Sequence, residues 1–214
     1  MELSPEELRV LGCLVEKELT TPQQYPLTLN ALVLACNQSS NRHPVVDYDE
    51  ATVEDAVTRA KAGGLVRFVH PSHGRSALRY RHELAEVLGL DGRQLALLAV
   101  MMLRGPQTPG ELRARTERMA GFDSLGEVEA ELEALTRREV PLAVRLAREP
   151  GRKEDRFAHT LGLPPQFDLA ASPPSAAAVV VHASAGVTEQ LEQLRSDVDA
   201  LRRDLQELRE QLGA

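Results

Sequence analysis

Histidine is the residue type in this sequence whose spacing comes nearest to a metal site. His70 and His73 flank a predicted turn, and His82 follows on the next predicted strand. A zinc site needs three or four ligands that converge on one point, and no CxxC motif, HExxH motif or carboxylate pair accompanies these histidines. We therefore expect them to lie on a solvated hairpin, and we assign no metal or other cofactor to the chain.

The other chemically reactive residues are also better explained by structure. Cys13 and Cys36 each fall in an apolar helical stripe, which is typical of buried free thiols in a reducing compartment. No histidine is placed beside either of them to activate a nucleophile. Gly63-Gly64 lacks the spacing of a phosphate-binding loop and has the pattern that ends a helix. We assign no catalytic residue and predict that the protein is not an enzyme.

Composition narrows the range of partners. A net charge of −7 gives no general attraction to nucleic acid, so any such binding must come from local patches. Aromatic residues make up 3% of the chain, which argues against surfaces that stack bases or sugars. The acidic N-terminus does not resemble a secretory leader, and the longest apolar run is too short to span a bilayer. We expect a cytoplasmic protein that makes no membrane contact.

The elements that would position these residues follow one order that occurs twice. In the first copy Ser4 opens a capping box before one helix, Thr28 caps a second, and a third runs from near Asp49 to Gly63-Gly64. The segments LVRFVH and ALRYRH then predict two strands, the second of which alternates apolar and basic residues. Three helices followed by a hairpin are the order of a winged helix-turn-helix.

The same order returns after the join RHELAEVLGLDGRQ, whose four apolar residues predict that the two copies pack as one body. Thr108 and Ser124 open two further predicted capping boxes, and the helix after Thr108 is expected to include Met119. The segments LAVRLAR and DRFAHTL predict a second hairpin. The predicted fold class is therefore mainly α with small antiparallel β wings, with tandem winged helix-turn-helix domains at residues 1–88 and 89–163.

The C-terminal part of the chain has a different composition. Residues 164–186 are rich in Pro, Ala and Ser, which predicts a linker. In residues 187–214 apolar residues step by three and four without a break, which predicts a coiled coil. Charged residues at the e and g positions favour a parallel homodimer. The predicted dimerisation residues are Leu191, Leu194, Val198, Leu201, Leu205, Leu208 and Leu212.

Three stretches of the sequence resemble a known family. GCLVEKELTTPQQYPLTLNALVLACNQSSNRHPV, LRGPQTPGELRAR and VRLAREPGRKEDR are similar to the signature stretches of the YceH family. The resemblance covers about residues 3–160. It implies a fold of two winged helices, which agrees with the order of predicted elements, and it supplies no activity.

Basic residues on the predicted hairpins make nucleic acid one candidate partner. The residues that we expect to contact it are Arg75, Arg79, Arg81, Arg145, Arg148, Arg152, Lys153 and Arg156. The third helix of a winged helix normally enters the major groove, but here that helix begins with Glu50, Glu54 and Asp55 in the first copy, and phosphates would repel it. Any DNA would therefore be held by its backbone, with little sequence readout.

The alternative is a protein–protein adaptor that uses the acidic helical faces and the polar segment at residues 37–44, in contact with an unidentified cytoplasmic protein. Two interpretations of that segment stay open. Its side chains could bond to neighbouring loop backbones, with Asn37 helping to end its helix. It could instead present a contact surface centred on Asn41, Arg42 and His43.

Overall fold

The computed structural model describes residues 2–70, 77–147 and 154–162. These residues form seven α-helices, one 3₁₀ helix and five short strands. The prediction of a mainly helical fold with small antiparallel sheets is confirmed. None of the helices in these three ranges has the length and apolar character that crossing a membrane requires.

The first half contains a helical layer on a three-stranded antiparallel sheet with the strand order β1-β3-β2. Its elements are α1 (Pro5–Thr20), a 3₁₀ helix (Pro22–Gln24), β1 (Leu27–Thr28), α2 (Leu29–Cys36), α3 (Glu50–Ala62), β2 (Val66–Val69) and β3 (Arg79–His82). The two-residue strand β1 was not predicted, since two residues carry no periodic signal.

The second half begins with a five-residue helix and then repeats the order of three helices followed by a hairpin. Its elements are α4 (Leu84–Leu88), α5 (Gly92–Arg104), α6 (Pro109–Thr116), α7 (Leu125–Thr136), β4 (Ala143–Leu146) and β5 (Arg156–His159). β4 and β5 pair antiparallel, and an isolated bridge between Gln107 and Phe157 lies where β1 lies in the first half.

Side-chain caps fix where most of the helices begin. Ser4 and Thr108 each form a complete capping box, in which the hydroxyl accepts from the N3 backbone and the N3 glutamate accepts from the cap backbone. Thr28 and Asp49 accept from the backbone of the third residue that follows them. These four predicted helix starts are confirmed.

Two details of the second half differ from the sequence prediction. Ser124 caps α7, but Glu127 accepts from the backbone of Asp123 at 3.2 Å, so the reciprocal half of the predicted capping box is missing. Met119 lies beyond the end of α6 at Thr116. The Met119 amide donates to the Thr116 carbonyl at 2.7 Å, and this i→i+3 bond tightens the chain into a turn.

α1 and α5 pack against each other, and the buried apolar residues of both halves form one cluster. A Cβ atom at Gly12 of α1 would lie 2.9 Å from the Leu103 side chain of α5, so this close approach requires glycine. In the join, Leu84 and Leu90 are buried as expected. Val87 is 48% exposed, because the short helix α4 turns it outward.

Candidate interaction surfaces

The first hairpin presents a face of three arginines. Arg67 lies opposite Arg81 in the antiparallel pair of β2 and β3, and Arg79 shares their face because it is two residues from Arg81. Tyr80 and His82 point to the other face and are buried. The predicted alternation in β3 is confirmed, and β2 adds Arg67, which the same period-two reading of LVRFVH could have identified.

One buried carboxylate offsets part of the charge on this face. Glu83 Oε1 lies 2.9 Å from Arg81 Nε, and Glu83 Oε2 lies 3.2 Å from Arg67 Nη2. The Glu83 side chain is only 6% exposed, whereas the side chains of Arg67 and Arg81 are 64% and 39% exposed. Arg79 donates to the Pro26 carbonyl at 2.7 Å and stays exposed. The face therefore keeps a net positive charge.

The described arginines of the second hairpin are engaged with carboxylates. Arg145 lies 3.7 Å from Glu133 and 3.6 Å from Asp155. Arg156 lies 3.4 Å from Glu111, and it also donates to a backbone carbonyl at 2.7 Å. These arginines are available to phosphate only in exchange for existing contacts, which weakens the basic character that the sequence suggests.

Several predicted residues fall outside the described residues, so their roles stay predictions. They are Arg75, Arg148, Arg152 and Lys153 of the hairpin turns, together with Leu191, Leu194, Val198, Leu201, Leu205, Leu208 and Leu212 of the predicted coiled coil.

The outer faces of the third helices are acidic, as the sequence predicts. Glu50 and Glu54 of α3 are exposed and have no ion-pair partner among the described residues, while Asp55 pairs with Arg59 in the same helix. In α7, Glu129 is exposed, and Glu127 lies 3.2 Å from Arg93. Both helices therefore carry exposed carboxylates on their outer faces.

Arg42 lies at the centre of the 37–49 loop, defined as the residues between α2 and α3. Its side chain is fully buried, and all five of its N–H donors are satisfied. Two of them reach the Glu16 carboxylate at 2.6 and 3.1 Å, in the bidentate geometry of strong ion pairs. The others reach the carbonyls of Ala35 and Asn41 and the amide oxygen of Gln38. This arrangement gives Arg42 a structural role.

Asn37 closes the base of the same loop. It is the C-cap residue of α2, and its side-chain amide forms two hydrogen bonds with the backbone of Tyr48. Asn37 Nδ2 donates to the Tyr48 carbonyl at 2.8 Å, and the Tyr48 amide donates to Asn37 Oδ1 at 2.9 Å. The interpretation that this segment bonds to neighbouring backbones therefore holds for Asn37 and Arg42.

The loop also joins the two halves of the fold. The His43 amide donates to the carbonyl of Leu103 in α5 at 2.8 Å, and Arg104 bonds to the Asn41 side chain. Arg9 of α1, itself buried, donates to the carbonyl of Pro44 at 2.6 Å. These three hydrogen bonds attach the loop to both α1 and α5.

Several side chains in the loop and on the adjoining helix α2 are exposed. Asn41 and His43 are exposed, in contrast to Arg42 between them. Two large apolar side chains lie on the same stretch of chain, namely Leu34 on α2, which is 63% exposed, and Val45 in the loop, which is 58% exposed.

Of the three predicted histidines, the structure describes His70 and His82, and these two do not converge. His70 is exposed, whereas His82 is buried and lies 2.6 Å from Glu18 through Nε2. The Nδ1 atom of His82 accepts from the Leu84 amide at 3.3 Å, and burial lowers the pKa of this imidazole although the Glu18 carboxylate opposes that shift. Among the described residues, no group of three His, Cys, Asp or Glu side chains could hold a metal ion. His73 lies outside them.

Comparison with known proteins places this chain in a family. Residues 3–152 match the family described as a protein of unknown function, DUF480. The chain is 49% identical over 189 residues to a UPF0502 protein of Geobacter metallireducens, which covers 87% of this chain and 85% of that protein. It is 47% identical over 209 residues to a UPF0502 protein of Pelobacter propionicus, which covers 95% of this chain and 94% of that protein. It is 41% identical over 215 residues to a UPF0502 protein of Hahella chejuensis, which covers 97% of each chain. The chain therefore belongs to the DUF480 family, which is the YceH family that its motifs resemble.

Proposed function

We propose that this chain is a tandem winged-helix protein that binds a partner protein through the acidic face of α3 and the adjoining 37–49 loop. The order helix, short strand, helix, helix and hairpin, with the strand order β1-β3-β2, supports a winged helix in the first half. In the second half the Gln107–Phe157 bridge occupies the place of β1, which supports a second copy.

The observation that carries the proposal is the pair of exposed carboxylates, Glu50 and Glu54, at the start of α3. They are four residues apart and so share one face of the helix. A winged helix that reads DNA places this part of its third helix against base edges and phosphates, where two carboxylates are repulsive. A basic patch on a protein is the complementary partner.

The 37–49 loop supplies the rest of the proposed contact. Leu34 and Val45 offer apolar anchors beside exposed polar groups, which is the composition of an interface core and rim. Because Arg42 and Asn37 already fix the loop, little ordering entropy is lost when a partner binds. A partner would therefore meet a preformed surface.

Charge reversal tests this proposal. The chain is tagged and used to capture proteins from a native cytoplasmic extract, and the Glu50→Lys/Glu54→Lys variant is compared with the wild type. The matched control is Glu117→Lys/Glu139→Lys, which changes the net charge equally at exposed sites elsewhere. We expect the first variant alone to lose a captured protein. Equal loss in both variants, or in neither, contradicts the proposal.

A second candidate, binding of a nucleic-acid backbone, is favoured by the exposed Arg67 and Arg79 on the first hairpin. The Arg67→Ala/Arg79→Ala variant should weaken binding about equally on unrelated duplexes. It should also lower the salt slope by about 2, since each phosphate contact contributes about 0.9. Arg118→Ala/Arg137→Ala is the matched control on the second half. No retardation of any duplex by the wild type at low salt would exclude this candidate.

A further inference from the structure

The strand β2 has one free edge, because it lies at the side of a sheet whose strand order is β1-β3-β2. The Glu83 amide donates to the Leu65 carbonyl at 2.8 Å, and these two residues lie opposite each other one step beyond the register of β2 and β3. Hydrogen-bonded and non-hydrogen-bonded pairs alternate along an antiparallel ladder, so the backbone of Arg67 also faces β3. The backbone N–H and C=O groups of Val66 and Phe68 therefore face the free edge, where they have no hydrogen-bond partner among the described residues.

A groove of about 440 Å³ lies along this free edge. Val66 and Phe68 line it from β2, Lys61 lines it from the end of α3, and Glu86 and Val87 line it from α4. Val87 contributes an apolar side chain that is 48% exposed. An unpaired strand edge is the element to which an extended peptide adds as a further strand, with main-chain hydrogen bonds for affinity and alternate side chains for specificity.

The exposed charge of the groove is mainly basic. The Lys61 ammonium lies 4.1 Å from the centre of the Phe68 ring, and it has no ion-pair partner among the described residues. The Arg67 side chain also lines the groove and is 64% exposed, and its contact with Glu83 at 3.2 Å engages one of its nitrogens. Glu86 is the exposed carboxylate of the same groove. Two exposed cations therefore face one exposed carboxylate, which favours an acidic partner.

We propose that the free edge of β2 binds an extended acidic segment of a partner protein, which joins the sheet as a fourth strand. The backbone of the segment bonds to Val66 and Phe68, and its alternate side chains set carboxylates beside Arg67 and apolar groups beside Phe68. A nucleic-acid backbone fits this edge less well, because phosphates accept hydrogen bonds but cannot donate to the two free carbonyls. The inference uses none of the residues of the proposed α3 contact and does not depend on it.

The experiment titrates a synthetic peptide of alternating Glu and Val residues into the intact chain, and hydrogen exchange of single amides is followed by NMR. We expect exchange of the Val66 and Phe68 amides to slow at least about tenfold at saturation, because both gain acceptors. The Arg67 amide already faces β3 and should change much less. Binding that leaves the Val66 and Phe68 amides unprotected, or no binding at millimolar peptide, overturns the proposal.

Two altered peptides and one variant separate the contributions of backbone and charge. The same peptide with N-methylated amides should not bind, and a peptide of alternating Lys and Val should bind more weakly. Arg67→Gln should weaken the Glu–Val peptide about twofold to fivefold, as expected for an exposed ion pair. Arg137→Gln, a change at an exposed arginine of the second half, is the matched control and should bind as the wild type does. Equal binding of the N-methylated peptide overturns strand addition, and equal binding of the Lys–Val peptide or an unchanged affinity in Arg67→Gln overturns the acidic character of the partner.

Discussion

The ion pair between Arg42 and Glu16 is the interaction whose loss should cost the first half the most stability. Arg42→Ala leaves the Glu16 carboxylate, which is only 14% exposed, without its partner and removes a donor from the Ala35 carbonyl. Breaking a buried pair in this way costs about 3–5 kcal/mol. For a chain of this size each kcal/mol lowers Tm by about 2–4 °C, so we expect Tm to fall by about 6–20 °C in a thermal scan followed by circular dichroism.

The matched control is Arg59→Ala. Arg59 also bonds to several carboxylates, but its side chain is 43% exposed, and exposed ion pairs contribute about 0–1 kcal/mol. A double-mutant cycle of Arg42→Ala with Glu16→Ala should give a coupling free energy of at least about 1 kcal/mol. If Arg42→Ala lowers Tm no more than Arg59→Ala does, or if the cycle shows no coupling, then the assigned role of the pair is wrong.

Two further predictions concern pH and assembly. Burial lowers the pKa of His159 to about 4 from an ordinary value of 6.5, and its Nδ1 atom has no hydrogen-bond partner among the described residues. The unfolded chain therefore takes up this proton first as pH falls from 6.5 to 4, and the free energy of unfolding should fall by up to about 3 kcal/mol in urea titrations. An equally steep fall in His159→Gln would refute that assignment. The heptads in residues 187–214 predict a parallel dimer, so light scattering should find a dimer for the full chain and a monomer for a truncation ending at residue 180. A full-length monomer at micromolar concentration, or a dimer that survives truncation, would contradict this prediction.

The parts of the fold that the sequence predicts correctly, chiefly the helix starts and the alternation in β3, depend on local signals. The capping residues Ser4, Thr28, Asp49 and Thr108 act within three or four residues, so the pattern that predicts a helix start also contains the atoms that form it. The alternation in β3 is equally local. Ser124 shows the limit of such patterns, because the spacing of a capping box does not determine which backbone amide Glu127 accepts from.

The candidate surface was harder to predict because its contacts are distant in sequence. Arg42 lies in a run of polar residues, which suggests solvent exposure, yet its main partner Glu16 is 26 residues away on α1. Likewise, Glu83 forms an ion pair with Arg67 because the register of β2 and β3 sets Arg67 opposite Arg81. The charge that a surface presents therefore depends on the pairing of these groups, which composition alone does not determine.

The proposed contact between α3 and a partner protein can be tested directly by photocrosslinking in cells. A photoreactive amino acid is placed at position 54 of α3, at position 79 of the first hairpin, or at the control position 117. We expect the chain modified at position 54 to crosslink to a protein in a product that survives nuclease treatment, and position 117 to give no such product. A nuclease-sensitive crosslink from position 79, with none from position 54, would contradict the proposed protein contact and favour binding of nucleic acid.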